Sequence, residues 1–162
     1  MSYKDYKDIP RLQLIVDILT EKEKSSKAFV QYTNKSHTYG EDSLYMREAH
    51  FITTVGIGDG MIMSDIAEKM YVTHGAVSQT ALRLEKKGYI IRLRDPENYR
   101  QVIAKLTEKG EEFYREHMSY DTKEYTYLDQ NCLAKFSDED LLKIMEYEKA
   151  MYAFFTKSSE HN

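Results

Sequence analysis

Between Ser64 and Leu106 the chain sets two short helical patterns, a two-residue break and two alternating stretches in one uninterrupted run, an order that few folds accommodate. Ile66, Ala67 and Met70 fall on one face of the first helix, and Val72-Thr73 breaks it. A second helix opens at Thr73 or His74 and runs to about Lys87, with Val77, Ala81 and Leu84 spaced four and three apart on its inner face. Gly88 stops it behind Lys86-Lys87, a cationic pair suited to the negative end of a helix dipole. Residues 89–94 and 101–106 alternate as strands around the turn-rich stretch 95–100 and predict a β-hairpin. In this layout the first helix braces the second, whose outer face enters a DNA major groove with the hairpin beside it.

With Val77, Ala81 and Leu84 turned inward, His74, Ser78, Gln79 and Arg83 remain outside. A Gln carboxamide at position 79 pairs bidentately with adenine, and Arg83 reaches guanine or phosphate. Thr73 and His74 sit at a helix N-terminus, where free backbone N–H groups favour a phosphate. Arg92 and Arg94 share one face of the first strand, opposite Ile91 and Leu93, and with Arg100 they suit phosphates or the minor groove. Taken singly, each has a plainer reading: Thr73 as a cap, Ser78 and Gln79 as solvated positions, the hairpin arginines as solubilising an edge strand. Glu85 does not neutralise Arg83, because residues two apart do not face each other on a helix. Charge tips the balance toward DNA once it is divided. The whole chain carries 23 basic and 27 acidic residues, net −4, which taken alone argues against nucleic acid. Residues 64–110 hold 9 basic against 6 acidic, net +3, whereas residues 111–162 hold 6 against 12.

The flanks read as helices. One is expected from about Pro10 to His37, apolar on every side over residues 11–19 and so in need of burial on several faces. Residues 39–42 read as a loop, with Ser43 capping a second helix that buries Leu44, Phe51, Ile52 and Val55. The cluster Gly56-Ile57-Gly58-Asp59-Gly60 follows a helix rather than a strand, so it is a stop and not a phosphate loop. Ser64 is the expected cap of the helix after it. Thr107 opens a long helical stretch to Asn131. Ser137 with Asp140 forms a variant capping box for a last helix, striped by Leu141, Ile144, Met145, Met151, Tyr152 and Phe155.

Other functions lack their signatures. Apolar runs such as Leu14-Ile15-Val16 are too short for a membrane span, and Met1-Ser2-Tyr3-Lys4-Asp5 lacks the apolar core of a secretory signal. A single cysteine, Cys132, excludes an internal disulfide, so a cytoplasmic protein is expected. Gly-x-Ser-x-Gly, His-Glu-x-x-His and P-loop patterns are missing, which argues against an enzyme and against a cofactor. Neither His-x-x-x-His nor paired-cysteine spacing offers a metal site, and Asn131 and Leu133 give Cys132 no activating cation.

The phrases Met63-Ser64-Asp65-Ile66-Ala67-Glu68-Lys69-Met70, Val72-Thr73, Val77-Ser78 and Leu84-Glu85-Lys86-Lys87-Gly88-Tyr89-Ile90 resemble the winged helix-turn-helix of MarR-type transcriptional regulators. So do Arg92-Leu93-Arg94-Asp95-Pro96-Glu97-Asn98-Tyr99-Arg100 and Leu106-Thr107-Glu108-Lys109-Gly110. One departure stands out: the family's wing reads Asp-x-Arg, where this chain has Asn98-Tyr99-Arg100. A neutral amide there replaces the acid that braces the arginine. The resemblance implies a mainly α chain. Residues 1–40 would form an N-terminal dimerisation helix, 41–110 the winged DNA-binding domain and 111–162 C-terminal dimerisation helices. It implies a homodimeric repressor whose recognition helices lie about 34 Å apart and read a pseudo-palindromic operator in double-stranded DNA. It further implies a small-molecule effector between the dimer helices and the winged domain, with His37, Tyr45, His50, Tyr114 and His117 as candidate contacts. A protein-interaction module built on the same fold is the competing reading.

Overall fold

A computed structural model describes residue 7, residues 9–39 and residues 42–159. The expected loop residues Gly40 and Glu41, and the segment Met1–Asp5, lie outside the described residues. The chain divides into two compact units, one up to Met118 and one from Ser119 onward.

Pro10 begins α1 (Pro10–Thr33), where its missing N–H costs no helical hydrogen bond. The helix ends at Thr33, short of the expected His37. Asn34 caps it with its N–H donating to the Val30 carbonyl, and the His37 imidazole Nε2 lies 3.0 Å from the Tyr32 carbonyl. The next residues extend into β1 (Ser36–Tyr39), which pairs antiparallel with β2 (Asp42–Tyr45), His37 opposite Leu44. Ser43 is therefore a strand residue and not a helix cap; its hydroxyl lies 2.7 Å from that of Ser36.

Helix α2 (Met46–Val55) starts instead from Tyr45, whose backbone N–H donates to the Glu48 carboxylate at 3.2 Å. Gly56, at φ +70°, ends it. Strand β3 (Met61–Ile62) runs straight into α3 (Met63–Lys69). Ser64, expected as the cap, lies inside the first turn with its hydroxyl donating to Asp65. Pairing of β3 with the wing holds Ile62 extended, so the helix begins directly after it. Then come α4 (His74–Lys86), β4 (Ile90–Arg94) and β5 (Val102–Leu106), with sheet order β3-β5-β4, antiparallel throughout.

The core of this unit is Phe51, Ile52, Ile66, Val77, Ala81, Leu84, Ile90 and Phe113, all but fully buried. Each of the larger ones contributes about 2 kcal/mol by leaving water. Helix α5 (Glu108–Leu128) is capped as expected by Thr107, whose hydroxyl accepts the Gly110 N–H at 3.1 Å. It stops at Leu128, short of the expected Asn131, and passes into a π-helical turn, Asp129–Leu133, that leaves Cys132 exposed. Helix α6 (Asp138–Ser159) opens with the expected box: Asp140 N–H donates to the Ser137 hydroxyl and Ser137 N–H to the Asp140 carboxylate. Among the described residues neither α1 nor α6 has a buried side chain, and both expose large apolar side chains such as Leu14, Phe29, Phe154 and Phe155. Among the described residues, no helix is long and apolar enough to cross a membrane.

Candidate nucleic-acid interface

Helix α4 is held by its inner face. Val77, Ala81 and Leu84 are buried as their spacing predicts, and Thr80 joins them with its hydroxyl donating to the Ala76 carbonyl. The turn before it is tight because Tyr71 takes φ +53°, which lets the Val72 N–H donate back to the Ala67 carbonyl. Thr73 caps α4 by accepting the Ala76 N–H at 3.3 Å. His74, Ser78, Gln79 and Arg83 are exposed, so the outer face is presented as the spacing implies.

The wing stands beside that face. Arg92 donates from Nε and Nη2 to a single oxygen of Glu85, at 2.9 and 2.6 Å, and so bolts β4 to α4. That guanidinium holds the Glu85 carboxyl below its ordinary value. At the tip, Asn98 accepts the Arg100 backbone N–H on its side-chain oxygen, and its carbonyl accepts the Gln101 N–H at 2.8 Å. The neutral amide thus shapes the turn through the backbone and leaves the Arg100 side chain exposed. Arg94 donates to the Tyr99 carbonyl at 3.4 Å. His74, Ser78, Arg92 and Arg100 converge on one groove of about 260 Å³ between α4 and the wing.

Between α1, α2 and the α3–α4 turn, with Arg83 of α4 at its wall, lies a cavity of about 550 Å³. Phe29, Met46, Met70 and Val72 give it an apolar wall, and Arg47, Glu48, His50 and Arg83 give it charge and polarity. Glu48 is only 1% exposed; its Oε2 accepts from Lys87 at 2.8 Å, and its Oε1 lies 3.4 Å from Arg83 Nε without hydrogen-bond geometry.

Residues 44–102 match the MarR family model. Over this stretch the chain is similar to the MarR family. Among the relatives of the chain is an uncharacterised HTH-type transcriptional regulator of Bacillus cereus, 28% identical over 138 residues, which cover 82% of this chain and 85% of that one. Another is the uncharacterised HTH-type regulator YhjH of Bacillus subtilis, 28% identical over 103 residues, which cover 63% of this chain and 58% of that one. The fold matches the transcriptional regulator SlyA with a TM-score of 0.67 at 23% identity, over 88% of this chain and 96% of that one. It also matches Streptococcus pneumoniae FabT, solved in complex with DNA, with a TM-score of 0.60 at 23% identity, over 90% and 97%. The mainly helical winged fold follows.

Within this MarR fold, two of the expected effector contacts, Tyr45 and His50, line the cavity. The other three lie elsewhere. His37 stands edge-on against Tyr32 at 4.6 Å, His117 is fully buried against Phe113 and His50, and Tyr114 is half-buried on α5. Sequence reasoning passed over Arg47 and Glu48. Glu48 carried a usable sign, an acid at the third position of a helix, while its partners on α4 did not.

Proposed function

We propose that the chain is a homodimeric repressor that reads a pseudo-palindromic operator through α4 and the wing. The convergence of His74, Ser78, Arg92 and Arg100 on one groove, in the basic third of an otherwise acidic chain, carries this reading. Ser78 and Gln79 face the bases, while Thr73, His74, Arg94 and Arg100 meet phosphates or the minor groove. Arg83 and Arg92 enter through their ion pairs with Glu48 and Glu85, which orient the reading surface. Residues 1–40 and 111–162 supply the dimer contacts, since α1 and α6 carry apolar surface that is otherwise left in water. A small organic effector with an apolar body occupies the cavity beside α2, its polar end toward Arg47 and His50. The protein acts in the cytoplasm, where its DNA is.

Fluorescence anisotropy with DNA from upstream of its own gene tests this reading. The expected result is binding as a dimer, with affinity falling steeply as salt rises. Arg94→Ala weakens every sequence alike, whereas Gln79→Ala costs about 1–3 kcal/mol at selected sites only and so relaxes preference. Salt-insensitive binding, or equal losses on specific and random DNA in both variants, defeats the assignment.

A further inference from the structure

Among the described residues Glu48 is the one buried carboxylate. It sits on α2, yet both of its cationic partners belong to the C-terminal turn of α4, Lys87 lying 39 residues further along the chain. A buried carboxylate persists only where cations and hydrogen-bond donors compensate its lost hydration, and Tyr45 N–H, Lys87 and Arg83 do so here. The two cations themselves are 40% and 50% exposed, on the helix that faces DNA. Apolar contact through Leu84 and Ala81 already docks α4. The carboxylate adds two things that apolar contact does not: a fixed rotation of α4 about its axis, and an opposite charge that engages two basic side chains.

We propose that Glu48 is a positioning residue for DNA reading. It clamps the C-terminal turn of α4 to α2 and withholds Arg83 and Lys87 from unselective phosphate contacts. Affinity is thereby concentrated in the base-reading N-terminal half of α4. The proposal rests on the DNA-binding reading above and adds to it a determinant of specificity that touches no DNA.

The test compares Glu48→Gln, which keeps the shape and removes the charge, with Lys87→Met and the double variant. Each is a full-length dimer measured for the slope of log affinity against log salt, on random-sequence DNA and on a selected site. Each phosphate neutralised adds about 0.9 to that slope. Glu48→Gln is expected to steepen the random-DNA slope by about 1.8 through two released cations, and Glu48→Gln with Lys87→Met by about 0.9. The ratio of specific to random affinity falls by about tenfold or more in Glu48→Gln, against a wild-type range of about 10³–10⁷. Lys87→Met alone leaves the random-DNA slope unchanged, and it decides the matter even if Glu48→Gln fails to fold. A fall of about 0.9 in Lys87→Met means that Lys87 already meets a phosphate, and overturns the clamp. So does a Glu48→Gln protein that melts lower but keeps the wild-type slope and ratio, since a merely structural role moves only the melting. Wild-type protein that binds neither DNA overturns both readings, whereas wild-type binding with equal slopes in all variants overturns this one alone.

Discussion

A methyl group at Gly110 would run into the Tyr89 carbonyl and lie 3.3 Å from the Leu106 Cβ. The first turn of α5 presses on the end of the recognition helix at this point, and Thr107 stitches the junction. Its N–H donates to the Tyr89 carbonyl and its hydroxyl to the Gly88 carbonyl at 2.6 Å. Because backbone rather than a flexible side chain stands in the way, Gly110→Ala is expected to destabilise the fold by about 2 kcal/mol. Urea unfolding should show this as a lower midpoint at unchanged slope. In the sequence Gly110 is only a poor helix former near a helix start, since the atom it must avoid belongs to another element. Thr73, Thr107 and the Ser137–Asp140 box were legible because each cap bonds within three residues of itself. The ion pairs of Glu48 were not, for the opposite reason: their cations come from a remote helix.

Arg92 and Glu85 join two elements, and their bond carries a pH signature. The guanidinium depresses the Glu85 carboxyl in the folded chain, so the pair stabilises the fold above the ordinary carboxylate value of 4.5. That contribution is lost as pH falls through the lowered folded value. Both side chains are about a third exposed, so the pair contributes less than about 1 kcal/mol. Wild type should therefore exceed Glu85→Gln in urea midpoint near neutrality, and the gap should close below pH 4.5. The α3–α4–wing order was readable because helical and alternating periods change at Gly88. The β1–β2 hairpin was not. Its strands have four residues each, too few to show a period, and the His37 ring turns back on Tyr32 rather than continuing the helix.

At the scale of the molecule, α1 and α6 leave Leu14, Ile18, Leu142 and Phe155 in water, a burden that a second copy relieves in the proposed dimer. Sedimentation should then give twice the chain mass of 19.1 kDa. Ile18→Glu should shift the population toward single chains, and the wild-type melting temperature should rise with protein concentration. A melting temperature independent of concentration, with monomer mass throughout, would remove the dimer from the reading. The all-round apolarity of residues 11–19 predicts burial on several faces, which the single chain does not supply. The chain's single thiol, Cys132, stands exposed on its π-helical turn. One spin label attached there would put two identical reporters in each dimer, and their separation, measured with and without operator DNA, would act as a ruler for movement that needs no engineered cysteine.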